Sequence, residues 1–170
     1  FVRRFGNKVY YGDASRLELL ESARAHDAKL FVLAIDDVEA SLKTAAVVRK
    51  NFPNLPILAR AHNRVHYYRL RDLDIDRRAI ERETFWSSLE TARQALELTG
   101  MESTQAARAV ALFKEHDEKL MDEQYAVRQD ETQYIQTATQ AAAQLQEVFE
   151  ADVTASGNSL HEPDGQAVDS

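Results

Sequence analysis

Short apolar runs alternate with segments of helical periodicity in the first part of the chain. The runs are VYY at 9–11, LFVLA at 30–34 and LPILA at 55–59. Apolar strands that alternate with helices are typical of a parallel sheet covered on both faces. The pattern predicts strands at 8–11, 30–35 and 56–60 and helices at 14–26, 37–52 and 63–73.

A further extended piece is expected near residues 78–80, followed by a helix at 84–98. Phe85, Leu89 and Leu96 recur at helical spacing, so this helix has one buried face, and Gly100 follows its end. We therefore predict an α/β domain over residues 1–100 with a Rossmann-like parallel sheet and helices on both faces. The domain lacks a first βαβ piece, because no glycine-rich turn precedes the first strand, and Phe1 indicates a fragment of a longer protein.

The pattern changes near Ser103, where a long helical arm is predicted over residues 101–151. No Gly or Pro occurs between 105 and 150, and one heptad position is mainly apolar, which favours packing against a partner surface. This position comprises Phe113, Leu120, Val127, Tyr134, Ala141 and Val148. A break is expected near Asp122 or Asp130. Residues 152–170 lack periodicity and are predicted to be a disordered tail.

Composition excludes several classes of protein. The chain is 44% hydrophobic and 29% charged, and no segment is apolar enough to span a membrane. It has no cysteine, which excludes disulfides, thiolate metal sites and a cysteine nucleophile, and is consistent with a reducing compartment.

Basic residues concentrate between Arg60 and Arg82, next to a predicted strand end, and this placement suits an anionic small molecule. A solvated face balanced by nearby acidic residues is the alternative. The acidic net charge of −7 argues against a nucleic-acid partner.

Candidate catalytic groups are few. Asp13 follows the run KVYYG, and there it either caps a helix or meets a ligand at the edge of the sheet. Asp36 and Asp37 stand at the next strand end, where a helix cap and a ligand acceptor are favoured over a general base. His62 and His66 are spaced i,i+4, but the glutamate of a zinc-binding HExxH motif is absent. We predict no catalytic residues and no metal site.

Five segments together resemble one known family. They are KVYYGDASRLELLESA, LAIDD, NFPNLPILARA, HYYRLR and ERETF, whose order and spacing are more specific than any single piece. Over residues 1–125 the chain resembles the cytosolic potassium-transport nucleotide-binding domain of the bacterial glutathione-gated potassium efflux antiporters. The resemblance implies a Rossmann-like regulatory domain, not an enzyme, in which glutathione closes the transporter and glutathione adducts of electrophiles open it for potassium efflux.

The resemblance also implies particular ligand contacts. Glutathione contacts map onto Phe5, Arg82 and Asp117. Arg82 suits a glutathione carboxylate, Phe5 suits a packing switch that a bulky thioether displaces, and Asp117 suits the ligand's ammonium group. A salt bridge of Arg82 with Glu81 or Glu83, and a merely polar role for Asp117, are the alternatives.

A nucleotide site is implied at the carboxyl edge of the sheet. Asp13 and Ala14 would meet the adenine, and Ala34 and Asp36 would line the neighbouring crevice. AMP or NAD(H) is expected to bind weakly, since the glycine turn that receives the phosphates is absent.

The resemblance further implies partners and a location. These are an antiporter membrane domain in the same polypeptide, a second copy of the chain, and in some members an ancillary oxidoreductase subunit, at the cytoplasmic face of the bacterial inner membrane. Two other functions remain open: a fragment of an NAD-dependent oxidoreductase, and a soluble regulatory subunit of a potassium uptake system.

Overall fold

A computed structural model describes residues 9–158, with the side chains as far as residue 151. Its elements are α1 (Leu17–Ser22), β1 (Phe31–Leu33), α2 (Val38–Asn51), β2 (Ile57–Ala61), α3 (Arg64–Arg71), β3 (Ile80–Arg82), α4 (Phe85–Leu98), α5 (Ser103–Val127) and α6 (Glu131–Asn158). These residues form two compact units that divide after Ser88. None of the helices in the described part of the chain is long and apolar enough to cross a membrane.

The first unit is built around an open, three-stranded parallel sheet in the order β1-β2-β3. Leu33 of β1 pairs with Ala59 of β2, and Ala59 pairs with Ile80 of β3. All three side chains are buried. Because the strands are parallel, their carboxyl ends lie at the same edge of the sheet, where the sequence predicts polar groups.

The two helices that follow β1 and β2 begin at capping residues. The Ala40 N–H donates to Asp37 Oδ1 at the start of α2, and the His66 N–H donates to Asn63 Oδ1 at the start of α3. Each cap satisfies a backbone donor that the first turn of a helix leaves without a partner. The caps therefore fix both helix starts directly after the strand ends.

Two predicted elements of the first unit differ from the structure. Val9, Tyr10 and Tyr11 are not a strand, and the two tyrosines are 46% and 78% exposed. The prediction was wrong because a strand requires a hydrogen-bonded neighbour, and the sheet of the described residues consists of β1, β2 and β3 alone. The helix predicted at 14–26 is also shorter, since Arg24 adopts a left-handed conformation with φ of 60°.

The second unit is helical. At the end of α4, the Met101 N–H donates to the Leu96 carbonyl and the Gly100 N–H to the Glu97 carbonyl, as in a Schellman motif. Gly100 has φ of +100°, which explains the glycine at this position. Helices α5 and α6 pack against each other.

The break in the arm lies between Val127 and Glu131, at the second of the two predicted places. Asp130 accepts a hydrogen bond from the Gln133 N–H and so starts α6. Helix α6 then continues to Asn158, past the boundary expected at residue 152. The remainder of the predicted tail lies outside the described residues.

Burial along the arm does not follow the apolar heptad position. Phe113 and Val148 are 37% and 41% exposed, although Ala141 is buried. The buried residues of α5 are Ala106, Asp117, Met121 and Gln124. Asp117 and Gln124 are seven residues apart and so share a different heptad position. The buried face of α5 therefore carries polar side chains that the hydrophobic pattern alone does not identify.

Candidate functional site

Arg60, in strand β2, connects the carboxyl ends of all three strands. Its guanidinium pairs with Asp36 after β1 and, at 3.2 Å, with Glu83 Oε1 after β3. It also donates to the Ala34 carbonyl at 3.4 Å. The Arg60 and Glu83 side chains are 31% and 32% exposed, so solvent screens this pair only partly, whereas the Asp36 side chain is 91% exposed. The structure thus brings together Ala34 and Asp36, two of the predicted nucleotide contacts, through an arginine that the sequence indicates only as part of a basic cluster.

Two histidines extend the network. His62 Nδ1 pairs with Glu83, and its ring stacks against His66 with centroids 5.8 Å apart. His66 is fully buried, and its Nδ1 accepts a hydrogen bond from the His62 N–H at 3.3 Å. Burial lowers the pKa of His66, and the positive charges of His62 and Arg69 lower it further. His66 is therefore neutral near pH 7.

Asp13 lies in a tight turn before α1. Asp13 Oδ1 accepts the Ser15 N–H at 2.8 Å, and the Asp13 carbonyl accepts the Arg16 N–H at 3.0 Å. Gly12 has φ of +150°, and a Cβ there would lie 3.2 Å from Leu19 Cδ2. The turn therefore requires glycine. The hydrogen bond from the Ser15 N–H to the Asp13 side chain stabilises this turn. Ala14 belongs to the same turn.

Arg82 ends strand β3 and is partly buried. Its Cζ lies 3.3 Å from the centroid of the Phe85 ring, at the first residue of α4. A guanidinium over an aromatic face is a cation–π contact, and its N–H donors point outward in the guanidinium plane. Glu83, a partner considered for Arg82, pairs with Arg60 and His62. The Phe85 ring thus covers one face of the Arg82 guanidinium.

Of the other two predicted glutathione contacts, the structure describes Asp117 but not Phe5. Asp117 lies on α5 in the second unit and is 4% exposed, on the same helix face as Met121 and Gln124. Phe5 lies outside the described residues. No cluster of three or more metal-binding side chains occurs among residues 9–158 whose side chains are described.

Sequence reasoning missed three features of these surroundings. Phe85 was assigned only to the buried face of a helix, yet it stacks on Arg82. The short spacing in ERETF is the signal, because Arg82 and Phe85 flank a strand-to-helix turn. Gln124 is buried seven positions after Asp117, which the heptad register brings to one face. Arg60 contacts groups that follow β1 and β3 because β2 lies between these strands. This order of the strands has no signal in the local sequence.

Two family models match the chain in succession. The TrkA-N domain matches residues 2–80, and the potassium efflux system KefB C-terminal domain matches residues 87–164. The two matches correspond approximately to the two compact units.

Curated relatives and a solved structure are similar to the chain as well. The glutathione-regulated potassium-efflux system protein KefC of Escherichia fergusonii is 37% identical, and that of Salmonella arizonae is 38% identical, each over 151 residues. These matches cover 89% of this chain and 24% of each relative, so the chain spans about a quarter of their length. The AMP-bound Kef CTD of Shewanella denitrificans is 43% identical, with a TM-score of 0.67, over 71% of this chain and 75% of that one. This likeness confirms the predicted Rossmann-like fold.

Proposed function

Because this chain belongs to the Kef C-terminal domain family, we propose that it is the regulatory, ligand-sensing domain of a glutathione-gated potassium/proton antiporter. Glutathione holds the transporter closed, and glutathione adducts of electrophiles open it. Potassium then leaves, protons enter, and the acidified cytoplasm protects against the electrophile. The KefC relatives, named as glutathione-regulated potassium-efflux proteins, support this assignment.

The observation that carries the proposal is the position of Arg82 over the Phe85 ring. A tripeptide with two carboxylates needs at least one fixed cation, and a guanidinium binds a carboxylate through two parallel, charge-assisted hydrogen bonds. The aromatic contact reduces the side-chain entropy that Arg82 would otherwise lose on binding. Arg82 therefore contributes affinity for glutathione itself, whatever group the sulfur carries.

Asp117 and Phe5 complete the proposed glutathione contacts. A carboxylate as buried as that of Asp117 suits the ammonium group of the γ-glutamyl residue, and it would repel either ligand carboxylate. Phe5 acts as the packing switch that a bulky S-substituent displaces. A ligand shifts a closed–open equilibrium only through such a difference in affinity between the two states.

A nucleotide occupies the carboxyl edge of the sheet in this proposal. AMP or NAD(H) places its adenine against Asp13 and Ala14, next to Ala34 and Asp36. The AMP-bound Kef CTD supports this choice of ligand. The Arg60 guanidinium contacts both Ala34 and Asp36 and so fixes their positions relative to each other.

The chain acts as a gating module and not as an enzyme. Its partners are the antiporter membrane domain of the same polypeptide, a second copy of the chain and an ancillary oxidoreductase subunit, at the cytoplasmic face of the inner membrane.

A fragment of an NAD-dependent oxidoreductase, the first alternative, would need a set of catalytic residues facing the nicotinamide. A potassium uptake subunit, the second, accounts poorly for the match of residues 87–164 to the KefB C-terminal domain.

Replacing Arg82 tests the proposal directly. We expect Arg82→Ala to weaken glutathione binding to this chain by roughly tenfold or more, since a charge-assisted hydrogen bond contributes about 1.5–3 kcal/mol. Arg82→Lys keeps the charge but loses the paired geometry, so it should give an intermediate value. Titration calorimetry with glutathione measures both.

Arg78→Ala is the matched control, because Arg78 is an exposed arginine of the same unit. Equal affinities of the Arg82→Ala and Arg78→Ala variants would remove Arg82 from the site. In a full-length antiporter, the Arg82→Ala change is also expected to cause a potassium leak in the absence of electrophile.

A further inference from the structure

Trp86, the second residue of α4, is a large aromatic side chain at the surface. It is 54% exposed and is the single tryptophan of the chain. Large apolar side chains at exposed positions are informative when they lie beside polar groups that can also bind a ligand. Trp86 directly follows Phe85, the residue that stacks on Arg82.

The indole of Trp86 contacts a carboxylate and an aromatic ring. Its Nε1–H donates to Glu81 Oε2 at 3.4 Å, and its ring meets Phe85 edge-on, with centroids 6.3 Å apart and planes at 66°. Phe85 also contacts the Arg82 guanidinium, which lies over the face of its ring. Arg82, Phe85 and Trp86, joined in a row by these two contacts of Phe85, comprise one cation and two aromatic rings.

This row offers two kinds of binding surface next to each other. The guanidinium binds a carboxylate, whereas the exposed indole face binds a flat apolar or aromatic group by stacking. In glutathione, the glycyl carboxylate and the cysteine sulfur belong to adjacent residues and lie within the length of an extended dipeptide. A group attached to the sulfur can thus reach Trp86 while the carboxylate stays on Arg82.

We infer that Trp86 is a specificity-determining contact for the S-substituent of glutathione adducts, and that it favours aromatic over small aliphatic substituents. The inference rests on the proposed function, because it needs glutathione on Arg82. The Arg82 contact is common to all ligands of the series. The Trp86 contact is made only by adducts whose substituent is large and flat enough to cover the indole.

The experiment compares glutathione, S-methylglutathione and S-(2,4-dinitrophenyl)glutathione as ligands of the whole chain by titration calorimetry. We expect Trp86→Ala to weaken the dinitrophenyl adduct roughly fivefold, the size of one aromatic stacking contact, and to leave the other two ligands unchanged. Trp86→Phe, which keeps an aromatic face, should recover most of the loss. Leu98→Ala is the matched control, since Leu98 lies on the same helix and is 89% exposed.

The possible outcomes separate this inference from the proposed function. An equal loss for all three ligands would indicate a structural role for Trp86 and overturn the inference, as would unchanged affinity for the dinitrophenyl adduct. Failure of the unaltered chain to bind any of the three ligands would instead overturn the proposed function, and the inference with it. A selective loss with retained glutathione affinity supports both and shows that the variant is folded.

Discussion

At the scale of single residues, the carboxyl edge of the sheet combines charged groups with a neutral, buried histidine. Three nearby groups affect the pKa of His66: His62 before α3, Arg69 on α3 itself and Glu39 on α2. Arg69 is held in an ion pair with Glu39, so its charge next to His66 is already balanced in part. Protonation of His66 would place a cation where burial opposes it.

The lowered pKa of His66 predicts a dependence of stability on pH. The ordinary pKa of histidine, 6.5, applies to the unfolded chain, so at acid pH the unfolded state binds a proton that the folded state does not. The contribution of His66 to stability is therefore complete above pH 6.5 and is lost progressively as the pH falls toward its lower, folded pKa. Each pH unit in that window removes at most about 1.4 kcal/mol.

Urea unfolding at pH 7.5 and at more acid pH values, followed by circular dichroism, measures this slope. His66→Gln should reduce the slope, whatever it does to stability at neutral pH. His26→Gln, at a histidine whose side chain is 61% exposed, is the control and should retain it. An identical slope in the two variants would contradict the assignment to His66.

The sequence predicts single candidate residues, such as Arg82, but not the contacts around them. Arg82 was found through its motif, and this motif belongs to a family whose likeness to the chain is confirmed. Its contact with Phe85 was not predicted. Helical spacing assigns Phe85 to the apolar face of a helix, but it does not indicate which side chain packs on the Phe85 ring. The role of Arg60 needed the order of the strands, which local periodicity does not supply.

At the scale of the elements, helix starts were the most predictable feature. The pair Asp36 and Asp37 predicts one helix cap, and in the structure it is Asp37 whose side chain accepts the Ala40 N–H, at 2.7 Å. Asp36, its neighbour, points to the Arg60 guanidinium instead. The two adjacent carboxylates therefore have different tasks, one in helix α2 and one in the network at the sheet edge.

Removing the cap should destabilise the first unit. We expect Asp37→Ala to lower the free energy of unfolding by about 1 kcal/mol, since the first turn of α2 then leaves a backbone donor without its partner. Asp37→Asn and Asp37→Ser retain an acceptor oxygen and should stay close to the unaltered chain. Chemical unfolding monitored by circular dichroism compares the four proteins, and equal stability of the Ala and Asn variants would refute a capping role.

Residues 9–11 and the arm show where element prediction failed. Valine and tyrosine favour extended structure, but a strand forms only with a neighbouring strand, which propensity does not provide. In the arm, the helix and its break were predictable from the absence of Gly and Pro and from Asp130. The buried face of α5 was not predictable. Asp117 and Gln124 are polar, and a hydrophobic pattern assigns polar residues to the solvent-exposed face of a helix.

At the scale of the whole molecule, nucleotide affinity depends on what the chain offers to phosphates. The 170 residues contain no GxGxxG sequence, whose backbone N–H groups normally bind the phosphates at a helix start. The proposed contacts include two carboxylates, Asp13 and Asp36, which repel an anionic ligand. The base and ribose must then provide most of the binding energy.

We therefore expect titration of this chain with AMP or NADH to give weak or undetectable heat, with a dissociation constant on the order of millimolar or higher. Adenosine, which lacks the phosphate, should bind no more weakly than AMP. If AMP bound with micromolar affinity and adenosine did not, the phosphate would contribute to binding. This result would contradict the prediction and indicate a phosphate site elsewhere in the chain.

The single tryptophan also makes the molecule a spectroscopic reporter of one place. Indole emission of the native chain arises from the start of α4 alone, and an indole that is 54% exposed should emit at longer wavelength than a buried one. Far-ultraviolet dichroism is instead dominated by the long helices α5 and α6. The two signals thus follow different parts of the protein, and any separation between their unfolding curves would reveal that the chain does not melt as one cooperative body.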